Sequence, residues 1–521
     1  MDISGQQAGT SLHVKTMGTL RRLSLRLADN PNAAIVLFGA YFLLQIVLRE
    51  LAPTALRIDE AQQVLFAQWL ALGYDAQPPL YNWYQQAIFA VLGTSMFAIA
   101  FAKNFILFLI FAVFVKTAEL VLENKRFVVV AAMALFVIPQ VFWQAQRDLT
   151  HTAMLMLTFT ALLYSSIRLI QRPTLNGYLL VGVVAGLGML SKYNFALALP
   201  ALLLAVWLHP QGRERILDRR FLLTILVSVI VFLPHLFWLI DNLRFASEVT
   251  LQRMAEDAPD SRFLQVARGL GRFVSGSLII SAVPALLIWL AARREAKRPQ
   301  TSQSVWFRFL LHYFIAITTL MALVIMVATM TELRDRWLLP LLLPAPILAA
   351  LYLERHLADT ARFVSRFLPI PLIMMVLVPV ALLVSHPLMA SLGRTSNSNY
   401  DWQSFHRYIV ETEKLSPSVI ITPNWPTGGN LRFLFQDVPV ATNIYDDYDP
   451  SFTLSDEHPA LMVWTGDDND VPLLTEWIEG QMRVKLKTVQ QSTLDIPMYY
   501  PVKGKTLRIS YAIIRPSDIE H

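Results

Sequence analysis

The chain has 521 residues, of which 55% are hydrophobic and only 16% are charged, against roughly 25% charged in an ordinary soluble domain. So few charges would not cover the surface of a soluble globule, which excludes that class. The formal net charge is +6 and cysteine is absent, so disulfide frameworks and thiolate metal sites are excluded as well.

The chain begins with a polar, basic stretch, followed by long apolar runs. Residues 1–32 lack the apolar core and cleavage site of a secretory signal, so we expect a cytoplasmic tail. A membrane span needs about 20 mainly apolar residues. Eleven runs approach or reach that length, at 33–52, 96–115, 127–145, 152–170, 177–191, 194–208, 221–240, 274–292, 309–330, 337–353 and 367–386. The sequence therefore predicts an all-α polytopic membrane protein with about 11 transmembrane helices, in a transmembrane domain at 33–390.

Lysine and arginine placement orients these spans, because cytoplasmic loops carry the excess of positive charge. The basic clusters fall in alternate loops, at Lys125/Arg126, Arg168/Arg172, Arg213–Arg220, Arg293–Arg298 and Arg355–Arg366. We expect those loops and the N-terminus to be cytoplasmic. The outer side then holds residues 53–95, 241–273 and 391–521.

The last 130 residues change character. Apolar runs shorten to strand length at Ser418–Thr422, Ala460–Trp464 and Thr506–Ile514, between helix-like stretches at Trp402–Lys414 and Leu473–Met482. Turn punctuation separates them, as in Pro426-Thr427-Gly428-Gly429 and Asp467-Asp468-Asn469-Asp470. The sequence predicts a small extracytoplasmic α/β domain at 391–521.

Two adjacent carboxylates, Asp59 and Glu60, follow the first span within a few residues. Carboxylates are costly in lipid, so we expect them at or above the interface. The spacing of apolar residues after them predicts a helix over 61–72 that lies along the membrane surface. One interpretation is a catalytic acid pair. The other is that the pair only caps an interfacial helix, where a carboxylate meets the positive end of the dipole.

A second polar cluster, Arg147-Asp148 with His151, lies at the outer end of the third span. Such a group suits phosphate binding and nucleophile orientation, although an interfacial salt bridge with a helix cap explains it equally well. Further polar groups lie at the same depth, at Lys192-Tyr193, His235, Asp241-Asn242 and Glu332–Arg336. Their agreement in depth places a site at the outer face.

Other chemistries lack support in the sequence. It contains no Walker-type glycine loop, HExxH or GxSxG motif, and no basic stretch interleaved with aromatics that would bind nucleic acid. No cofactor is predicted and no metal ligands are assigned; a divalent metal is compatible with the chemistry but not required.

Five short motifs follow one another along the chain. They are Asp59-Glu60, Gln77-Pro78-Pro79-Leu80-Tyr81, Arg147-Asp148 with Thr150-His151-Thr152, Gly188-Met189-Leu190-Ser191-Lys192-Tyr193, and Arg336-Trp337-Leu338-Leu339-Pro340. With these motifs in this order, the chain resembles the polyprenyl-phosphate-sugar glycosyltransferases of the GT-C fold. The match is to the bacterial branch related to protein O-mannosyltransferases and the lipid A aminoarabinose transferase, and it covers roughly residues 33–350.

The resemblance implies a role for each position. Asp59 corresponds to the general base that deprotonates the acceptor hydroxyl, and Glu60 to a neighbour that holds the acceptor or tunes the base. The predicted substrate-binding residues are Glu60, Gln77, Tyr81, Arg147, Asp148, His151, Lys192, Tyr193, Arg334 and Arg336, with Arg147, Lys192 and Arg336 on the donor phosphate. Gln77 departs from the aminoarabinose transferases, which carry a basic residue just before the first-loop prolines, so a different sugar is expected.

The function implied is an inverting transfer of a monosaccharide, a uronic acid or an amino sugar, from a polyprenyl-phosphate donor. The expected acceptor is lipid A or lipopolysaccharide core, on the periplasmic side of the bacterial inner membrane, among membrane lipids and without nucleic acid. The alternatives are a protein O-glycosyltransferase of the same fold, a lipid-linked sugar transporter or flippase, and a non-catalytic assembly protein. The sequence of a transporter or flippase is expected to show inverted repeats and acidic residues at mid-membrane, whereas the acidic residues of this chain lie at one face.

The predicted topology can be tested with reporters fused after Asn399. Because the basic loops alternate along the chain, we expect a periplasm-dependent phosphatase to be active at this position and a cytoplasm-dependent reporter to be inactive. The matched control is a fusion after Arg298, in a loop predicted to be cytoplasmic. The reverse pattern at the two positions would contradict the topology.

Overall fold

A computed structural model of the chain describes residues 21–245, 248, 259–296, 298, 303–445, 448–466, 471–487 and 489–520. Lys15, Lys297, Asp467-Asp468-Asn469-Asp470 and residues 249–258 of the predicted outer loop lie outside the described residues. The chain forms two compact units. The first comprises Met1–Leu44, Ala76–Tyr81 and Lys103–Val378, and the second Gln45–Asp75, Asn82–Ala102 and Pro379–His521. The domain boundaries at 32 and 390 stay predictions.

Long apolar helices dominate the chain, which confirms the predicted fold class. Within the described ranges, seven helices are long and apolar enough to cross a membrane: Pro31–Glu50, Met96–Val121, Thr150–Gln171, Phe221–Asp241, Arg262–Ala292, Val305–Ala328 and Thr360–Ser391. The last contains two segments, Thr360–Phe367 and Pro369–Ser391. Each coincides with a predicted run, although the Arg262 helix begins twelve residues before the predicted run at 274–292.

Three further predicted spans are bent. Lys125–Phe136 meets Gln140–Arg147 at 66°, Phe195–Leu208 meets Pro210–Leu217 at 111°, and Asp335–Leu342 meets Ala345–His356 at 43°. Prolines 139, 210 and 344 lie at the three breaks, which is the usual cause of a sharp kink. The fifth predicted run, 177–191, forms the shorter apolar helix Leu175–Ser191, of 17 residues.

The C-terminal residues of the second unit build a five-stranded mixed sheet of order β2-β1-β3-β6-β5. The strands are β1 (Val419–Thr422), β2 (Val440–Thr442), β3 (Ala460–Thr465), β4 (Lys485–Leu486), β5 (Gln491–Ile496), β6 (Leu507–Ile514) and β7 (Ile519–Glu520). β1 is parallel to β2 and β3, β6 is antiparallel to β3 and β5, and β4 pairs with β7 in a separate ribbon.

Helices cover the sheet on both faces. They are Trp402–Arg407, continued by a π-turn at Tyr408–Thr412, then Trp425–Leu434 and Val471–Met482. Leu431 and Ile420 belong to one core cluster and Leu474 and Ile421 to another, as expected where alternate strand residues face opposite sides. The three predicted strands and two predicted helices of this region are confirmed, whereas β2, β4, β5, β7 and the Trp425 helix are additional.

The second unit also contains the helix Ile58–Phe66 from the first outer loop and residues 82–92 of the helix Leu80–Leu92. We call Ile58–Phe66 the acid helix and Trp425–Leu434 the glycine helix. The acid helix ends earlier than the predicted 61–72. Gln68, just after it, pairs its side-chain amide with both the N–H and the C=O of Val440, at 2.9 Å each. This amide therefore pairs with the backbone of Val440 at the edge of β2 that no other strand of the sheet covers.

The predicted turn at Pro426-Thr427-Gly428-Gly429 is wrong, because these residues begin the glycine helix. Asn424 caps this helix by accepting the Thr427 N–H at 3.0 Å, and the proline occupies the first turn, where it is tolerated. The glycines serve close packing instead of a turn. A Cβ on Gly429 would lie 2.1 Å from the carbonyl oxygen of Ala61 in the acid helix, so only glycine permits this approach.

Replacing Gly429 with alanine is expected to push the two helices apart and to destabilise the second unit by about 1–3 kcal/mol, the usual cost of overpacking. The measurement is the thermal unfolding midpoint of the purified, detergent-solubilised protein. Gly480→Ala is the matched control, since a Cβ there meets nothing within 4 Å on an exposed helix position, and it should be neutral or slightly stabilising. Equal midpoints for the two variants would contradict the packing argument.

Candidate active site

The acid helix carries the two predicted carboxylates in its first turn. Arg57 is the residue before the helix, with an extended backbone, and Asp59 and Glu60 follow Ile58. Carboxylates are favoured at this end of a helix because unpaired backbone N–H groups point outward there. Ala61, Val64 and Leu65 of the same helix are buried. Asp59 is half-buried, whereas Glu60 is only 3% exposed.

Glu60 forms a buried, two-point ion pair with Arg49, from the last turn of the first span. Its Oε2 lies 2.8 Å from Arg49 Nη2 and its Oε1 lies 3.3 Å from Arg49 Nε. Oε2 also accepts the Arg57 backbone N–H at 3.0 Å. The structure thus ties Glu60 to the end of the first span and to the start of the acid helix.

Arg49 completes this joint through backbone carbonyls. Nη1 donates to Pro53 O at 2.8 Å and Nη2 donates to Ala55 O at 3.2 Å. The guanidinium is 8% exposed, so its charge is compensated by these oxygens and by Glu60 instead of by water. Sequence reasoning missed Arg49. The available signal was a charged residue at the end of an apolar span, which requires a partner nearby.

The remaining predicted residues belong to the first unit. Tyr81 is buried, with its ring centroid 5.8 Å from that of His151, and Gln77 is half-buried. His151 lies in the first turn of the Thr150–Gln171 helix. The structure therefore brings the first-loop Tyr81 and the third-loop His151 together.

Arg147 and Asp148 occupy an irregular connection between helices. Asp148 is extended and Leu149 adopts φ +77°, a left-handed conformation that costs a residue with a branched side chain about 1–2 kcal/mol. Lys103 Nζ donates to the Arg147 backbone carbonyl at 3.3 Å. This contact stabilises the connection through the backbone of Arg147, whose side chain is exposed. Strained connections of this kind are concentrated at functional sites.

The turn at Lys192-Tyr193 is bound to two neighbouring helices. Lys192 Nζ donates to Thr152 Oγ1 at 2.9 Å, and the Tyr193 hydroxyl lies 3.2 Å from His235 Nε2. Burial raises the pKa of the Tyr193 phenol above its ordinary value. Asn194 then donates to the Trp337 carbonyl at 2.9 Å.

Arg334 and Arg336 flank Asp335 at the start of the Asp335–Leu342 helix. Asp335 Oδ2 accepts Gln140 Nε2 at 2.7 Å, and Oδ1 accepts the Arg336 N–H at 2.8 Å. Together with the Asn194 bond, these contacts join the elements that carry Lys192, Arg147 and Arg336. Within the described part of the chain, no carboxylate forms an ion pair with the guanidinium of Arg147 or Arg336, and no three His, Asp or Glu side chains are grouped as metal ligands.

Comparison with known proteins defines the class. Residues 76–238 match the family described as dolichyl-phosphate-mannose-protein mannosyltransferase. The whole fold is similar to that of ArnT from Cupriavidus metallidurans bound to undecaprenyl phosphate, with a TM-score of 0.54 and 15% identity over 94% of this chain and 99% of ArnT. The chain is a membrane glycosyltransferase with the GT-C fold.

The relatives narrow this class. The chain is 32% identical to the lipopolysaccharide core galacturonosyltransferase RgtB of Rhizobium johnstonii over 91% of its length and 96% of RgtB. It is also 32% identical to the lipopolysaccharide core galacturonosyltransferase RgtA of the same organism, over 93% of this chain and 98% of RgtA. The lipid A galacturonosyltransferase RgtD of this organism is 26% identical over 40% of this chain and 44% of RgtD. The chain belongs to the family of RgtA and RgtB.

The buried ion pair predicts a large stability effect. Glu60→Gln leaves the Arg49 charge uncompensated and should destabilise the protein by about 3–5 kcal/mol, measured as a fall in the thermal unfolding midpoint. The double variant Arg49→Met with Glu60→Gln removes both charges and should recover a substantial part of that loss. The control is Asp495→Asn, which breaks a surface pair with Arg508 and should cost at most about 1 kcal/mol. A double variant less stable than either single variant would show that the ion pair is not the stabilising contact.

Proposed function

We propose that this chain is an inverting glycosyltransferase that transfers a uronic acid from a polyprenyl-phosphate donor to lipopolysaccharide core or lipid A. The near full-length similarity to two galacturonosyltransferases supports this sugar class and this acceptor class. It also favours a uronic acid over the amino-sugar alternative, in agreement with the departure at Gln77. The site is proposed to face the periplasm from the inner membrane.

The reaction needs a base and a charged partner for the leaving group. Asp59 takes the proton of the acceptor hydroxyl, and the freed oxygen attacks the anomeric carbon of the donor sugar. The bond from that carbon to the phosphate oxygen breaks, and polyprenyl phosphate leaves with the electron pair. One displacement inverts the anomeric configuration. A positioned base contributes roughly 10²–10⁴-fold, and preorganised cations at the phosphate are often the larger contribution.

The observation that carries the assignment of the base is the different environment of the two carboxylates. Glu60 is buried and engaged by the Arg49 guanidinium and the Arg57 amide. It is therefore proposed to be a positioning residue, not a group that contacts the acceptor. Asp59 precedes it in the same turn and retains access to solvent, so it is the carboxylate suited to receive a proton.

The donor phosphate is proposed to bind the cations of the first unit. Arg147 and Arg336 have no carboxylate partner in the ranges that the structure describes, and Lys192 is positioned by Thr152. Charge-assisted bonds of this kind are worth about 1.5–3 kcal/mol each. Asp148, His151, Tyr193 and Arg334 are proposed to orient the sugar from the same face, with Gln77 and Tyr81 completing the set.

Protein O-glycosylation is the second candidate, because the matching family model describes a protein mannosyltransferase. The match covers only residues 76–238, whereas the two lipopolysaccharide enzymes match almost the whole chain. Lipopolysaccharide is therefore the favoured acceptor. A sugar missing from lipopolysaccharide of a deletion strain, with unchanged glycoproteins, is the expected distinction. The chain is a glycosyltransferase, which argues against transport without transfer.

The central test is Asp59→Asn, measured as turnover of polyprenyl-phosphate uronic acid by the purified variant. The amide preserves size and still accepts a hydrogen bond at a helix start, but it cannot take up a proton. We expect a loss of at least about 100-fold in kcat with an unchanged unfolding midpoint. Asp495→Asn, on the surface of the same unit, should retain wild-type turnover. Near-wild-type turnover of Asp59→Asn would leave the carboxylate as a helix cap and move the search to Asp148.

A further inference from the structure

A small polar cavity lies within the second unit. Neither Asp59 nor Glu60 is among its lining residues. It has a volume of about 200 Å³ and is lined by the acid helix, the Leu80–Leu92 helix, Thr94 and the end of the glycine helix. Its polar lining residues are Gln86, Thr94, Arg432 and Gln436, and its apolar lining includes Val64 and Phe89. Pockets for drug-sized ligands measure roughly 300–1,000 Å³, so this cavity suits a single headgroup or sugar substituent.

Arg432 supplies the charge of this cavity. One of its terminal nitrogens, Nη1, is directed at the carbonyls that end the glycine helix: Val438 at 3.0 Å, Phe435 at 3.4 Å, and Gln436. A cation at the C-terminal end of a helix is favoured by the helix dipole. This contact explains why an arginine is present, but it involves only one nitrogen.

The rest of the guanidinium is uncommitted. A guanidinium has five N–H donors, and Nη1 holds two of them. The Nε–H and the two Nη2 hydrogens make no hydrogen bond or ion pair within the part of the chain that the structure describes. These three donors form the edge of an arginine that binds a carboxylate or phosphate with two parallel bonds.

The position of the Arg432 guanidinium also carries a desolvation cost. Arg432 is half-buried, and burial lowers its pKa, although Tyr448 and Asp437 partly offset this effect. Asp437 is exposed and is not paired with Arg432. A partly desolvated guanidinium without a carboxylate partner gains the most when an anion binds.

We propose that the Nε/Nη2 edge of Arg432 binds an anionic substituent, a carboxylate or a phosphate, of the acceptor glycolipid. The proposal rests on the proposed lipopolysaccharide acceptor, whose class carries both groups, and assigns a specificity-determining residue outside the predicted set. The amide N–H groups of Gln86 and Gln436 already donate to protein oxygens. These two residues therefore offer their amide oxygens, and Thr94 its hydroxyl, to the sugar that carries the anion. The cavity and the acid helix share Val64 as a wall, so an acceptor bound there touches the helix that bears the proposed base.

The test is acceptor kinetics with purified full-length enzyme and three acceptors: intact core glycolipid, the same glycolipid with its carboxyl groups reduced to alcohols, and a dephosphorylated form. For the wild type, we expect KM to rise about 10- to 100-fold for one of the two modified acceptors, which identifies the anion. Arg432→Gln should raise KM for the intact acceptor by a similar factor, with kcat nearly unchanged, and should not discriminate between intact and modified acceptor.

This loss of discrimination separates binding from a purely structural role. If Arg432 only ends the glycine helix, Arg432→Gln lowers stability, and the wild-type preference between acceptors persists in the variant; that result overturns the proposal. Arg432→Lys keeps a cation that can bond the carbonyls but lacks the fork, so it should fold like the wild type and recover only part of the affinity. Arg407→Gln, an exposed arginine of the same unit, is the control and should keep wild-type KM values.

The outcome also separates this proposal from the function on which it depends. If the wild type transfers sugar to none of the three acceptors, the lipopolysaccharide assignment fails and the anion site fails with it. If the wild type transfers, Asp59→Asn does not, and Arg432→Gln keeps the wild-type acceptor preference, the anion site alone is overturned.

Discussion

The buried ion pair of Arg49 and Glu60 is the constraint on which the candidate base depends. Two charges with almost no exposure to water are stable only if each is satisfied by the other and by further hydrogen bonds. Here the guanidinium also binds two carbonyls and the carboxylate also binds the Arg57 amide. The chain therefore leaves the first span in one direction and starts the acid helix at one residue, which determines where Asp59 is presented.

The second unit extends this constraint to the C-terminal residues. Leu56 donates its N–H to the Asn430 side chain at 2.8 Å, and Gly429 lets the glycine helix approach the Ala61 backbone. A segment of the first loop and a segment that follows it much later in the chain, 374 residues later for Leu56 and Asn430, thus share one core. The same unit holds the proposed base and the proposed anion site at Arg432, so binding of the acceptor and deprotonation of its hydroxyl would use one packed unit.

The sequence predicted those helices and strands that are marked by an apolar run within their own residues. Within the described residues, apolar runs predicted seven long spans and three bent helix pairs, because a span must satisfy the bilayer over its own length. The predicted run at 177–191 forms a helix of only 17 residues. β3 and β6 were evident as compact apolar runs. The two edge strands were not predicted. β2 has only three residues and is paired with the side chain of Gln68, and apolar and polar residues alternate only weakly along β5. The glycine pair was misassigned because its reason is tertiary, a contact with Ala61. Likewise the partner of Glu60 and the uncommitted edge of Arg432 depend on contacts that no spacing rule encodes.

The central claim is a single displacement at the anomeric carbon, assisted by Asp59. It is tested most directly by NMR of the product formed by the purified enzyme from a polyprenyl-phosphate uronic acid of known anomeric configuration and a core glycolipid. One base and one nucleophile require the opposite configuration in the product. A product that retains the donor configuration would demand a covalent intermediate or a different nucleophile and would contradict the proposed role of Asp59.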